Sequence, residues 1–360
     1  LADLVISGYY GFGNAGDEAM LEGMVQSFRR LRPGIKITVL SANPSRTSRE
    51  HGVRAISRLN IWAIKEEIAR SGLLISGGGS LLQDVTGAFN IPYYLWIISL
   101  AMALKKPVML YGQGIGPVRG RLGRFLMEGV LNRVDLITVR DEASQQELRE
   151  LGITQPPIQV TADPVFALYP FLEKEIRRPE DADQPPAGKI ALSVRRWPGR
   201  GFIEALARAA DHLIEETGYS VIFLPMQYPD DIEAARQVAL LMRHPAEIVT
   251  RRLDFRQALT MISQTELMIG MRLHALVFAA LAGVPLVGLS YDPKIDGFLA
   301  RLGLTPAGAV AEIRAEDILI RAEEALHNRE AIRQELLARS EALSREALRN
   351  TELALGLLPN

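Results

Sequence analysis

The chain of 360 residues balances 41 lysines and arginines against 42 aspartates and glutamates, for a formal net charge of −1, and is long enough for two domains of ordinary size. That balance argues against a dedicated nucleic-acid binder, which carries a basic excess. The absence of cysteine excludes disulfides, thiolate metal sites and cysteine nucleophiles, and fits a reducing compartment.

Residues 1–6, which do not begin with Met, are short and lack a charged leader, so they read as a first strand and not as an export signal. Strands are predicted at 4–7, 37–40, 73–75, 108–111 and 136–139, with helical patterns at 18–31, 61–69, 92–104, 122–132 and 142–151. Such alternation predicts a parallel sheet with helices on both faces. Near-continuous apolar strands are what a sheet buried on both sides requires. The run 91–104, ending before Lys105 and Lys106, falls short of the roughly 20 apolar residues that span a membrane. It reads either as a helix buried against the sheet or as a membrane-facing surface with two lysines at the headgroup level.

Residues 173–188 are polar and proline-bearing and read as a linker. The alternation then restarts, with strands at 190–194, 220–224, 247–249, 267–269 and 286–288 and helices at 201–216, 230–242, 255–263 and 275–282. The tail, 315–360, is charged and helix-favouring. The expected fold is α/β: two doubly wound Rossmann-type domains, 1–172 and 189–314, with a cleft between them. Ligands of such sheets bind beyond the carboxyl ends of the strands.

The motifs sit at those ends. Arg272 and His274 follow the apolar run Leu267-Met268-Ile269-Gly270 and precede an apolar helix, a setting for an anion that undergoes acid–base chemistry. Ser193-Val194-Arg195-Arg196 ends another strand, with one arginine expected inward and the other toward solvent, and Tyr291-Asp292-Pro293-Lys294 ends a third. Arginine and lysine together suit a compact carboxylate or phosphate. In the first half, the loop from Gly8 to Glu18 contains Gly11-Phe12-Gly13-Asn14-Ala15-Gly16, a G-x-G-x-x-G match. The second strand ends without the carboxylate that a dinucleotide site wants, which argues against nicotinamide. Asp17 reads as a helix cap or as a ligand for sugar hydroxyls. Gly77-Gly78-Gly79-Ser80 implies a close ligand, a tight crossing or a sheet-edge turn, with Asp84 just beyond; Tyr111-Gly112-Gln113-Gly114 repeats the pattern. Arg119, Arg121 and Arg124 form a solvated face or meet an acceptor's phosphate. His51, His212, His244 and His327 read as structural or exposed.

Taken in order, Gly11–Glu18, Gly77–Ser80, Gln113–Pro117, Val139-Arg140-Asp141, Met271-Arg272-Leu273-His274 and Tyr291–Lys294 resemble the polysaccharide pyruvyl transferase family. They look closest to its CsaB branch, which acts on bacterial cell-wall polysaccharides. The resemblance covers nearly the whole chain and rests on the order and spacing of motifs that are individually unspecific. It implies a GT-B-like pair of domains with an interdomain active site. It implies transfer of pyruvate from phosphoenolpyruvate to a sugar, forming a cyclic ketal and releasing phosphate; no cofactor is expected, and no metal, because the cations already supply the charge.

By motif match the donor is held by Arg195, Arg272, Leu273 and His274, joined by Lys294. Gly13, Asn14, Gly16, Asp17, Gly78, Gly79, Ser80 and Gln113 line the acceptor side. His274 is the expected acid, because histidine titrates near neutrality, and Asp84 or Asp17 the acceptor-side base, with Asp84 placed first. The implied acceptor is an amino-sugar-containing, lipid-linked glycan, met in the cytoplasm or at the inner face of the plasma membrane. The run 91–104, Lys105, Lys106 and the loop 119–124 are the expected membrane contact. The rival readings are a nucleotide-sugar glycosyltransferase or epimerase on the same fold, and a non-catalytic glycan-binding protein. Oligomeric state stays open.

Overall fold

The computed structural model describes residues 3–84, 90–176 and 188–359. The chain divides into two compact units, 1–12 with 17–168 and 342–360, and 13–16 with 169–341. In chain order the first unit's elements are β1 (Leu4–Ser7), α1 (Ala15–Leu31), β2 (Ile37–Ser41), α2 (Pro44–His51), β3 (Arg54–Ser57), α3 (Ile61–Arg70), β4 (Leu73–Ser76), α4 (Asn90–Ala103), β5 (Val108–Gln113), α5 (Arg121–Leu131), β6 (Leu136–Val139), α6 (Glu142–Glu150) and β7 (Ile158–Val160). There follow α7 (Tyr169–Ile176), β8 (Lys189–Ser193), α8 (Gly201–Thr217), β9 (Ser220–Phe223), α9 (Asp230–Ala239), β10 (Ala246–Ile248), α10 (Phe255–Ser263), β11 (Leu267–Gly270), α11 (Leu273–Ala282), β12 (Leu286–Ser290), α12 (Pro293–Arg301), β13 (Gly308–Ala309), α13 (Ala315–His327) and α14 (Arg329–Gly356).

The first unit holds a seven-stranded sheet in the order β3-β2-β1-β4-β5-β6-β7, and the second a six-stranded sheet, β10-β9-β8-β11-β12-β13. Among the described residues, every pairing between these strands is parallel. Both sheets reverse direction once, between β1 and β4 and between β8 and β11, which is the doubly wound pattern, and the reversal opens a crevice at the carboxyl ends of those strands. Strand alternation sorts the core of the first unit. Leu4 and Ile6 pack with Leu21, Met24 and Phe28 of α1, whereas Val5 packs on the other face with Ile64, Leu95 and Ile98 of α3 and α4.

The expected central strands are all present. The edge strands β3 and β7 escape a reading of apolar runs because each is half-exposed, and Arg54 and Ser57 sit at the ends of β3. The run 91–104 is resolved in favour of burial: Ile91, Tyr94, Leu95, Ile97, Ile98 and Ala101 of α4 face the core. Among the described residues no helix is long and apolar enough to cross a membrane. The expected linker, 173–188, lies outside the described residues from 177 to 187. The tail does not form a body of its own. Its Ser340 hydroxyl donates to the Ala280 carbonyl in the second unit, and in the first unit Thr351 shares a 2.6 Å hydrogen bond with the Tyr111 hydroxyl.

His51, at the end of α2, is buried between Glu22 (Nδ1 to Oε2, 2.7 Å) and Glu18 (Nε2 to Oε2, 3.1 Å), one turn apart on α1. The other Glu18 oxygen accepts from the Gly11 amide at 2.9 Å and so fixes the first glycine-rich loop. Glu18, Glu50 and His51 group ligand-type atoms, but Glu18 and Glu22 already engage both ring nitrogens. Burial alone would lower the imidazole pKa; the two glutamates more than reverse this and raise it to about 9. Protonated in both folded and unfolded chains below about pH 6.5, His51 there gives its full contribution, and that contribution is lost as pH rises through about 9. Urea unfolding should therefore show about 3 kcal/mol less stability at alkaline pH, and His51→Gln should flatten this dependence. An equal pH slope in wild type and variant would exclude the buried ion pair as its source.

Candidate functional site at the carboxyl end of each sheet

In the second unit, β8 and β11 flank the strand-order reversal, and their carboxyl ends deliver Arg195 and Arg272. The Arg272 amide precedes α11, whose N-terminal turn then presents Leu273 and His274. The helix starts here because the apolar run 275–282 is buried throughout, and it stops at Gly283 in the left-handed region. Asp231, buried in the first turn of α9, aims Arg272. Its two oxygens accept from the Arg272 Nε at 3.1 and 3.0 Å, and Oδ1 also accepts from Nη2. Asp231 is itself held by the Met226 and Gln227 amides, at 3.1 and 2.9 Å. Burial opposes the guanidinium charge, but Asp231 outweighs it and holds the pKa above the ordinary arginine value.

Tyr291 is the hub of the other cations. Arg195 Nη1 donates to its hydroxyl at 3.0 Å, and the Arg195 guanidinium carbon lies 4.7 Å from the ring centre. Lys294 Nζ lies 5.1 Å from the same centre and donates to Asp292 at 3.1 Å. Burial would raise the phenol's pKa, yet Lys294, Arg195 and Arg272 together bring it below the usual tyrosine value. Arg196 is exposed where Arg195 is half-buried. The two also border a hollow of about 400 Å³ with Trp197, Phe202 and Gln237. Arg195 and Arg272 at the strand-order reversal and Lys294 after the neighbouring β12 offer planar forks, which suit a carboxylate, and a point charge, which suits a phosphate.

Residues 13–16 belong with this unit. Asn14 pairs with Gln227 as an antiparallel bridge and through its side chain at 2.9 Å, and its Oδ1 caps the Gly16 amide. The Gly16 α-carbon lies close against His274: a Cβ there would clash with the imidazole Nδ1 and Cγ. Gly16 is therefore required by the histidine.

In the first unit the reversal lies between β1 and β4. Asp17 Oδ1 would be 3.1 Å from a Cβ on Gly79, which has φ +95°, so the carboxylate stands at the mouth of that crevice. Burial first, and the charge of Asp17 second, push the Tyr10 phenol well above its ordinary value. The glycine run is explained by tight crossing. A Cβ on Gly77 would run into the Tyr10 hydroxyl, and one on Gly78 would lie 2.9 Å from the Met20 sulfur and 3.0 Å from Pro164.

Asp84, placed first as the acceptor-side base, instead accepts from the Arg119 amide (3.1 and 2.9 Å) and the Gly120 amide (2.6 Å), and so caps the loop before α5. Gln113 also departs from expectation. It is fully buried and donates to Ser76 and Gly77, bracing the end of β4. Ser80 is tied at 3.2 Å to Arg140, which is buried against Asp163 and Asp141.

The polysaccharide pyruvyl transferase sequence profile matches residues 14–293. The chain belongs to the polysaccharide pyruvyl transferase family. The amylovoran biosynthesis protein AmsJ of Erwinia amylovora is 22% identical over 406 residues, covering 92% of this chain and 94% of its own. Among solved structures, the chain is similar to S. aureus MnaA in a complex with UDP (TM-score 0.68, 12% identity, 99% of this chain and 98% of that one). It is also similar to the UDP-GlcNAc 2-epimerase of Neisseria meningitidis bound to UDP-GlcNAc (0.66, 13%, 98% and 100%) and to Anabaena Alr3699/HepE with UDP-glucose (0.64, 11%, 98% and 98%). At such identities the structural likeness concerns the GT-B-type fold of two Rossmann-like units.

For this pyruvyl transferase family member, sequence reasoning missed Asp231 and the central place of Tyr291. An acid in a helix's first turn is the ordinary complement of the helix dipole, so nothing in the sequence singled out Asp231 from Asp230. Removing Asp231 leaves the Arg272 charge and two amides without their acceptor. Asp231→Ala should cost about 3 kcal/mol of unfolding free energy, by urea denaturation, and Asp231→Asn less. A loss in Asp231→Ala no larger than that of an exposed substitution would show that the pair does not order this strand end.

Proposed function

We propose that the protein transfers pyruvate from phosphoenolpyruvate to two hydroxyls of a glycan sugar, forming a cyclic ketal and releasing phosphate. The carrying observation is the gathering of Arg195, Arg272 and Lys294 around Tyr291 at a strand-order reversal. Phosphoenolpyruvate presents one carboxylate and one phosphate, the pair of anions such a set suits. Family membership supports pyruvylation of a polysaccharide in general; the donor and the ketal are the finer reading.

In that reading His274 donates a proton to the methylene carbon of the enol, and C2 becomes electrophilic. A sugar hydroxyl attacks C2, and its proton passes to Asp17. Breaking the C2–O bond releases phosphate and leaves a second electrophilic centre. A neighbouring hydroxyl closes the ring and its proton restores His274, while the proton held by Asp17 leaves with phosphate. Asp17 takes the base role for its place at the carboxyl end of β4, where its Oδ1 would lie 3.1 Å from a Cβ on Gly79. The acceptor is an amino-sugar-containing glycan of a cell-wall polysaccharide or its lipid-linked precursor. The donor is a cytosolic metabolite, which places the reaction in the cytoplasm. The cations supply the charge stabilisation, so no metal is required.

The direct test is incubation with phosphoenolpyruvate and a panel of lipid-linked or synthetic amino-sugar acceptors. A product heavier by pyruvate minus water, with one phosphate released per product, is the expected result. Turnover of a UDP-sugar with no phosphate from phosphoenolpyruvate would overturn it. His274→Ala should lower turnover about 10²–10⁴-fold, the usual worth of an acid–base group, and His274→Gln should not restore it. Asp17→Asn should lower turnover comparably, and Asp84→Asn should act chiefly on stability. The reverse order for the two aspartates would return the base role to Asp84.

A further inference from the structure

The helices α3, α4 and α5 follow β3, β4 and β5, so their N-terminal turns all emerge at the carboxyl edge of the first sheet. They pack side by side through the core that includes Ile64, Leu95 and Met127. Around these turns large apolar side chains stand in water: Leu59, Trp62, Leu122 and Phe125 are 79, 81, 69 and 70% exposed. Exposed Arg119, Arg121 and Arg124 lie beside the last two.

Two features of this rim are unfavourable in solution. Large apolar groups face water, and three exposed cations outnumber the one carboxylate, Asp84, at the N-terminal end of α5, where the helix dipole favours anions. None of the three helices has an acid in its first turn. No Asp or Glu occurs in 58–63, 90–104 or 117–127. Both features become favourable against a surface that is apolar and negatively charged together.

We propose that this rim docks on an anionic phospholipid bilayer, with Trp62, Leu122 and Phe125 entering the interface and Arg119, Arg121 and Arg124 meeting headgroup phosphates. A second copy of the chain fits poorly, since about a two-fold axis the arginines would face their own kind. A soluble polyanion would leave the apolar side chains in water. Lys105 and Lys106 are not part of the surface: they follow the C-terminal end of α4, at the opposite edge of the sheet. Asp84 contributes by capping the Arg119 and Gly120 amides, which shapes the loop that carries the arginines.

The test is sedimentation of the full chain with phosphatidylcholine vesicles, with and without phosphatidylglycerol, in the absence of phosphoenolpyruvate and acceptor. Binding should require phosphatidylglycerol and fall with salt. It should weaken about fivefold for each arginine in Arg119→Gln and Arg121→Gln, and be lost in Leu122→Ser/Phe125→Ser. Lys105→Gln/Lys106→Gln should bind as wild type, and the rim variants should unfold at the wild-type temperature, their sites being exposed. Equal recovery from both vesicle types, or binding unchanged in the rim variants, would overturn the proposal. So would a rim variant that altered the solution mass instead of lipid binding. Because no substrate is present, these outcomes leave the pyruvyl-transfer reading to be judged separately by product formation.

Discussion

The second unit's site depends on one buried carboxylate. Asp231 holds Arg272 through the Nε edge of its guanidinium and is itself fixed by two backbone amides, so the arginine's orientation is set before any ligand arrives. Arg272 is also the residue from which α11 starts, which ties the direction of the cation to the helix that carries His274. A charge held this way has little orientation left to lose when an anion binds, and preorganisation is where such sites gain affinity. Tyr291 serves the other cations similarly, as a surface over which Arg195 and Lys294 are held apart despite their like charge.

The glycine-rich loops have more than one physical cause. Gly16 is small because an imidazole lies on it, and Gly77 and Gly78 are small because α1 and Pro164 cross them closely. In the first unit the loop at Gly11 is in turn held by Glu18, and Glu18 by His51. A buried histidine far along the chain thereby supports the loop that ends in Asp17. Removing one partner of such a network leaves charge uncompensated in the interior, so changes at His51 or Glu18 should reach the loop through structure and not through substrate contact.

The legible parts of the sequence were those with period and position. Buried parallel strands announce themselves as apolar runs, and β1, β4, β8 and β11 were found because both their faces are covered. Edge strands such as β3 were not, because one side meets water and Arg54 interrupts the apolar signal. Strand ends could be located because topology, not side-chain detail, places them at the crevice, which is why Arg195 and Arg272 could be placed there from sequence. What sequence could not supply was partnership across distance. Nothing in the sequence shows that the Asp84 carboxylate accepts from the Arg119 and Gly120 amides. Gln113 likewise looked like a ligand group until its amide was seen to brace Ser76 and Gly77. The apolar run 91–104 was ambiguous for the same reason, since hydropathy alone does not say which neighbour covers it.

In the proposed reaction the cations around Tyr291 and the Asp231–Arg272 pair hold phosphoenolpyruvate. Calorimetric titration of phosphoenolpyruvate into wild type, Arg195→Ala, Arg272→Ala and the exposed control Arg196→Ala measures it without needing the acceptor. Saturable one-site binding in wild type and in Arg196→Ala is the predicted result, weakened by about 30-fold or more in each of the other two, as expected for loss of a buried charge-assisted contact. Undiminished binding in Arg195→Ala and Arg272→Ala would contradict it.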